Sequence, residues 1–317
     1  MKAAVIRSAQ NMEVVDLPVP EIGPREVLVK VSVCGTCMSE FPLWDQGTDV
    51  GRRLGHEGVG TIVAVGDEVE DFRVGDRVSG IINKSFAEYA SADCDSIIPV
   101  PDSLEDYEAI GEPLGCLVSA AERIRIPFGA DLAMVGTGFM GLSIMKMMLL
   151  RGAGRVIAVD IREEALRNAR RMGASETHLP KDLPPEYKIT EWQGDLFRQG
   201  IDYVVEASGT PDGLALAGDM TRPHGTLSVV GYHQTEGGYR NINMTLWNWK
   251  AITVINAHER RYGYLVDCCR RALQMIAEGR LDMRPMYTNA YSLDEINRAF
   301  RDMRDKPEGY IKGYIRF

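Results

Sequence analysis

Long apolar runs are missing from this 317-residue chain. The greasiest stretch, LSIMKMMLL at 142–150, is short and carries Lys146, so no segment is long enough to span a bilayer as a helix. The opening MKAAVIRSAQNMEVVDLPVP holds neither an uninterrupted apolar core nor a small-residue cleavage site. The expectation is therefore no secretory signal, a cytoplasmic location and no membrane partner. Cysteine is sparse as well. Six thiols, Cys34, Cys37, Cys94, Cys116, Cys268 and Cys269, cannot build a disulfide framework in a chain of this length, and they are expected reduced, some of them free to bind metal. Dense Lys/Arg runs are absent and the formal net charge is -9, which excludes a nucleic-acid surface, since phosphate affinity rests on clustered cations. Small molecules are the expected partners.

What is present points to two domains, because 317 residues exceed what one core usually organises. From residue 3 to about 100, short β-rich runs (AAVIR, EVLVKVSVC, GVGTIVAVG, DRVSGI) are punctuated by Gly, Pro and Asp, the pattern of an antiparallel barrel or sandwich. From about 130 to 258 strand and helix patterns alternate: LAMVG, FMGLSIMKMMLL, RVIAVD, EEALRNARRMG, then DYVVEAS, TLSVVGY and ITVINA. Such alternation implies βαβ units and a parallel sheet, hence an α/β fold. The remainder reads as two helices, YLVDCCRRALQMIAEG and SLDEINRAFRDM, and a closing strand, YIKGYIRF. Residues 180–195 are the most loop-like part, with room in EYKITEW for a short helix or strand.

The stretch VGTGFMGL sets Gly136, Gly138 and Gly141 in G-x-G-x-x-G spacing, directly after an apolar strand and at the start of an apolar helix. Gly136 allows the tight turn, Gly138 lets backbone approach a pyrophosphate, and Gly141 permits close helix packing, with the helix N-terminus facing the phosphates. Asp160 follows 19 residues beyond Gly141, at the end of the next strand, where a carboxylate accepts hydrogen bonds from the adenosine ribose. That carboxylate repels a 2'-phosphate and favours NAD over NADP. Arg162, just after the strand, either reaches such a phosphate or faces solvent.

Possible metal ligands lie in the first half: Cys34, His56 and Glu57 side by side in LGHEGVG, and Glu112 in GEPLGC. Cys, His and carboxylate are zinc ligand types, and a catalytic zinc takes three protein ligands plus an open position. Spacing alone does not establish such a site. VCGTCMSE, with Cys34 and Cys37 three positions apart, reads equally as half of a zinc knuckle, a redox pair or one ligand beside an unrelated thiol.

Taken together and in this order, VCGT, GHEGVG, VGDEVEDFRVGDRV, GEPLGC, VGTGFMG and VEASG resemble the zinc-dependent alcohol and polyol dehydrogenases of the medium-chain dehydrogenase/reductase superfamily, over nearly the whole chain. The resemblance implies a GroES-like catalytic domain built from 1–120 and 258–317, a Rossmann NAD-binding domain at 121–257, and an active site in the cleft between them. It assigns Cys34, His56 and Glu112 as zinc ligands. Glu57 lies beside the metal or exchanges onto it, and Thr36 carries the alcohol proton. Glu112-Pro113 stands where sorbitol-type enzymes carry EP, so polyols, cyclitols or sugar derivatives are the implied substrates, oxidised by hydride transfer to NAD. The cofactor set extends to Phe139, Met140, Ile161, Ser208, Thr210 and Gly231, and Glu40 and Phe41, in the loop that also holds Trp44, are candidates to line the substrate pocket. His233 and His258 are either contacts to cofactor or substrate, or hydrogen-bonded structural residues. A homodimer or homotetramer pairing through an edge strand near LWNWKAITVI is implied.

The lobe that carries a structural zinc in many relatives is absent, so a single catalytic zinc is expected. Cys94 and Cys116 then read as small buried hydrophobes, and one of Cys268 and Cys269 faces the core. Cys37 and Ser39 stand where the family usually has an Asp that orients the ligand His, and a His. Two other readings are a zinc-free superfamily reductase of enones or quinones, and a non-catalytic dinucleotide-binding protein.

Overall fold

Strand β1 (Lys2–Ser8) buries Ala3 to Ile6 in a row and pairs antiparallel with β2 (Asn11–Asp16). The next strand, β3 (Glu26–Gly35), alternates as its sequence does, with Val27, Val29, Val31 and Val33 buried and Lys30 exposed. There follow α1 (Phe41–Gln46), β4 (Glu57–Val65), β5 (Arg77–Gly80), β6 (Tyr89–Asp93), β7 (Ile97–Pro99) and α2 (Gly111–Arg123). The alternating region gives β8 (Leu132–Val135), α3 (Phe139–Leu150), β9 (Val156–Val159), α4 (Glu163–Arg171) and β10 (Glu176–His178). It continues through β11 (Ile201–Glu206), α5 (Pro211–Met220), β12 (Thr221–Val229), α6 (Met244–Lys250) and β13 (Thr253–Asn256), and the chain ends with α7 (Tyr262–Ala277), β14 (Tyr287–Tyr291), α8 (Ile296–Asp305) and β15 (Lys312–Arg316).

This computed structural model describes residues 1–192 and 198–317, which form two compact units: Met1–Cys116 with Arg260–Phe317, and Leu117–Glu259. In the first unit a seven-stranded sheet runs β14-β15-β3-β4-β5-β7, with β6 also pairing to β3. The ten residues of β3 serve two partners on one edge: Glu26–Lys30 pair with β6, and Val33–Gly35 pair with β15. The last strand of the chain is thereby laid against Cys34 and Gly35. Trp44, Phe86 and Phe300 pack at 5.4–5.9 Å in the core of this unit, so the C-terminal α8 closes it.

The second unit is a wholly parallel sheet of order β10-β9-β8-β11-β12-β13. Strands β8 and β9 are buried at every position, as strands covered on both faces are. The α/β expectation holds. Among the described residues no helix is long and apolar enough to cross a membrane.

Several local readings change. LWNWK, for which no element was expected, forms α6, started by Asn243, whose side chain accepts from the Leu246 N–H; the expected strand in ITVINA is β13, and it forms the sheet edge. Residues 180–192 hold two 3₁₀ turns, Pro180–Asp182 and Pro185–Tyr187, while 193–195 of that loop lie outside the described residues. Cys94 and Cys116 are half-buried, not buried: Cys94 sits on a surface turn 3.9 Å from Asp95 Oδ1, and Cys116 faces Glu112 one helical turn back. Cys268 and Cys269 are both buried, because α7 is covered on more than one side.

Lys250, at the end of α6, is fully buried, and its Nζ donates to the Gly218 carbonyl at 2.6 Å. Burial lowers its pKa from 10.5 to about 8, with Asp219 opposing the shift. Above about pH 8 the folded chain has lost a proton that the unfolded chain still holds, so stability rises with pH until the lysine of the unfolded chain titrates near 10.5. Relative to Lys250→Met, the wild type is expected to gain stability across that window by on the order of 3 kcal/mol. Denaturant titrations of both proteins at about pH 8 and about pH 10 check this, and a flat difference would refute it.

Candidate active site

The site grows from the register of β3 against β4, which sets Cys34 opposite Gly58 and Gly35 opposite Glu57. Side chains alternate across the pleat, so the two pairs face opposite sides. A Cβ on Gly35 would lie 2.0 Å from Glu57 Oε2, so only glycine leaves room for that carboxylate. On the other face, Cys34 Sγ lies 3.1 Å from Ser85 Oγ with no exposure. Burial, slightly relieved by Ser85, pushes the Cys34 thiol up to about 12.

Beyond the end of β3 the chain turns through Met38–Glu40 into α1, and this turn returns two side chains toward His56. Ligand atoms of Cys37, His56 and Glu57 lie within 4.8 Å of one another; Cys34 is not in that group. Glu40 Oε1 accepts from the Gly55 N–H at 2.7 Å and lies 3.1 Å from His56 Nδ1. A carboxylate there would keep the proton on Nδ1 when a metal displaces the one on Nε2. Nε2 stands 4.0 Å from Glu112 Oε2, on the first turn of α2. Burial alone would lower the His56 pKa, but Cys37 and Glu40 outweigh it and raise it well above 6.5. Glu112 is raised by burial and by Glu57, against His56 and Lys312.

Glu57 is almost wholly buried. Its Oε2 lies 2.7 Å from Lys312 Nζ, whereas its Oε1 is buried with no hydrogen-bond partner among the described residues. A buried carboxylate oxygen left open, beside an imidazole and a thiol, fits a divalent metal of zinc type. Lys312 also donates to the Thr36 carbonyl at 2.9 Å. The Thr36 hydroxyl donates to the Gly313 carbonyl at 3.0 Å, so in this arrangement it ties β3 to β15. Phe41 turns toward Trp44, 5.6 Å away in the core, and of this pair of pocket candidates only Glu40 lines the adjoining cavity.

In the second unit, Gly136 has a φ of +90° and packs so closely on Ser208 that a Cβ would lie 2.6 Å from its nitrogen. Gly138 caps α3, and a Cβ there would meet nothing within 4 Å. That open space, at a helix N-terminus flanked by half-buried Phe139 and Met140, fits a dinucleotide pyrophosphate. Asp160 Oδ2 accepts from the Thr137 N–H and hydroxyl, and Oδ1 from the Arg162 N–H, which fixes the carboxylate at the end of β9. Ile161 is exposed, and Arg162 Nε lies 3.8 Å from Asp160 Oδ1.

Glu206, fully buried, is a residue that sequence reasoning missed, although VEASG contained it. Its Oε1 accepts from the Ser208 and Gly209 N–H groups and the Ser208 hydroxyl, its Oε2 lies 2.9 Å from His233 Nε2, and its carbonyl accepts from Gly231. An acid inside an apolar strand end was the available signal. His233, whose Nδ1 accepts from Arg240 Nε at 2.8 Å, thus has both ring nitrogens engaged; His258 Nε2 lies 3.3 Å from the Gly231 carbonyl, and the Thr210 hydroxyl caps α5 by accepting from Gly213.

Residues 23–102 match the alcohol dehydrogenase GroES-like domain, and residues 140–278 the zinc-binding dehydrogenase domain. The chain is 28% identical to the sorbitol dehydrogenase of Bacillus subtilis (strain 168), over 94% of this chain and 92% of that protein. It is 27% identical to the L-threonine 3-dehydrogenase of Shewanella sp. (strain ANA-3), over 98% of each. A solved zinc-binding dehydrogenase of Sinorhizobium meliloti 1021, bound to NADP, superposes with a TM-score of 0.85 at 24% identity, covering 100% of this chain and 99% of that one. Fold, site and likeness together define an alcohol dehydrogenase-type oxidoreductase. The chain belongs to the zinc-dependent medium-chain dehydrogenase superfamily, with a GroES-like unit and a Rossmann-type unit.

Proposed function

We propose that this protein is a zinc-dependent, NAD-dependent dehydrogenase of a secondary alcohol, a polyol, cyclitol or sugar derivative. The observation that carries the reading is the His56 group: Glu40 on Nδ1, Glu112 near Nε2, and the Cys37 thiol and the open Glu57 oxygen close by. When bound, zinc supplies Lewis acidity and the nicotinamide supplies the hydride acceptor. Cys37, His56 and Glu57 would hold the metal, with Glu112 beside it. Glu40 fixes the imidazole tautomer, and Lys312 balances the Glu57 charge in a buried setting where a lone carboxylate would be costly.

Thr36, the proton carrier implied by family resemblance, reaches that role only by exchanging the Gly313 carbonyl for the substrate hydroxyl. Gly138 leaves room for the pyrophosphate, and Asp160 presents its carboxylate where NAD has a free ribose hydroxyl and NADP a phosphate.

Metal analysis of the purified protein, with reduction of NAD and NADP measured over polyols, cyclitols and simple alcohols before and after chelation, tests the reading. About one zinc per chain, preference for NAD, and turnover lost on chelation and restored by zinc are expected. Metal-free protein that reduces enones would overturn it.

A further inference from the structure

The GroES-like unit contains a cavity of about 1490 Å³ whose wall includes His56 and Glu40. Its charges are not evenly answered. Each lining carboxylate has at least one oxygen engaged, although Glu40 Oε2 is buried without a partner among the described residues: Glu26 accepts from the Gly23 N–H, Glu40 Oε1 from the Gly55 N–H, Asp93 from the Asp95 N–H, and Asp95 pairs with Arg25. Arg52 pairs with Asp49 at 2.8 Å. Two further cations line the same cavity, Arg53 and Lys84, and among the described residues neither has a hydrogen-bond or ion-pair partner.

Arg53 is half-buried, and burial alone, with no opposing carboxylate, lowers its pKa. A partly desolvated guanidinium without a partner is unfavourable unless a ligand supplies the counter-charge. Lys84 is held at a φ of +61°, a backbone position that L residues rarely adopt. Arg53 precedes His56 by three residues, so their Cα atoms are at most about 11 Å apart. Arg53 and His56 both line this cavity, so one short molecule that carries an anionic group and a carbinol can reach both.

We infer that the substrate is an anionic hydroxy compound, a hydroxy acid or a phosphorylated polyol, whose negative group is bound by Arg53 with Lys84. This inference rests on the dehydrogenase reading and narrows its substrate class. Arg53 presents a planar fork suited to bidentate contact with carboxylate or phosphate oxygens, and Lys84 adds a point charge.

The test compares kcat/KM of the zinc-loaded protein for sorbitol, gluconate and sorbitol 6-phosphate, and measures binding of inorganic phosphate by calorimetry. Wild type is expected to favour one anionic substrate over sorbitol by at least about tenfold, and the identity of that substrate separates carboxylate from phosphate. Arg53→Gln should reduce this ratio about tenfold or more, Arg53→Lys should restore part of it, and Lys84→Gln should reduce it less. Phosphate should compete with the anionic substrate in wild type and bind more weakly to Arg53→Gln. Thermal melts establish that each variant is folded. Turnover of sorbitol with no anionic preference, or a ratio unchanged in Arg53→Gln, overturns the inference and leaves the dehydrogenase standing. Absence of turnover on every alcohol overturns the dehydrogenase reading instead, and phosphate binding lost in Arg53→Gln would still support the anion site.

Discussion

Cobalt-substituted protein is expected to show a thiolate-to-metal charge-transfer band that survives Cys34→Ser and vanishes in Cys37→Ser, while His56→Ala takes up no metal and has no measurable turnover. The reasoning is directional. Cys34 faces Ser85 in a packed core, and burial holds its thiol protonated. Cys37 is half-exposed, and its ligand atom lies with those of His56 and Glu57. Glu40→Gln keeps the shape of the orienting side chain but removes its charge, and should weaken metal binding by about 10- to 100-fold. Equilibrium dialysis against zinc and the cobalt spectrum read these effects independently of catalysis. If Cys34→Ser loses the band and Cys37→Ser keeps it, the thiolate is Cys34, which then has to turn away from Ser85 on metal binding.

The same residues show where sequence was readable and where it was not. Cys34, His56, Glu57 and Glu112 were visible as a zinc donor set, because the residue types themselves carry the chemistry, with Cys37 left as an open question. The resemblance assigned Cys34 as the thiol beside the histidine, whereas here Cys37 lies with His56 and Cys34 faces Ser85, because the side each takes depends on the pleat of β3 and on where the strand stops. Replacement of the family's Asp by Cys37 left open a looser site, a different substrate or another orienting group. The 3₁₀ turn over Met38–Glu40 supplies one from three residues further on, a return that no spacing rule announces. In the Rossmann unit the glycine spacing and Asp160 were legible because a strand, a tight turn and a helix must follow in fixed order. The helix over LWNWK was not announced, because a short aromatic run satisfies strand and helix patterns equally, and the Asn243 cap decides between them. Glu206 went unnoticed because, beyond the local turn at Ser208 and Gly209, its partners lie at 230–233 and reach it only in the fold.

Two glycines of the nucleotide turn separate fold from function most sharply. Gly141→Ala places a Cβ 2.0 Å from the Gly136 carbonyl oxygen, a backbone atom fixed by the left-handed turn at Gly136. Helix α3 must move off the sheet, so this variant should lose about 3 kcal/mol or more of stability together with NAD binding. Gly138→Ala behaves differently. Its φ of -76° and ψ of -166° suit any residue, and a Cβ there meets nothing within 4 Å, so the melting temperature should stay near that of wild type. The methyl group nevertheless projects into the space that fits the pyrophosphate. Loss of one backbone hydrogen bond to a charged oxygen is worth about 1.5–3 kcal/mol, so NAD affinity should fall by about 10- to 100-fold. Fluorescence titration with NAD beside thermal melts distinguishes the pair. A Gly138→Ala protein that binds NAD as wild type does would mean that no phosphate passes over this turn, because the fold itself has no need of a glycine there.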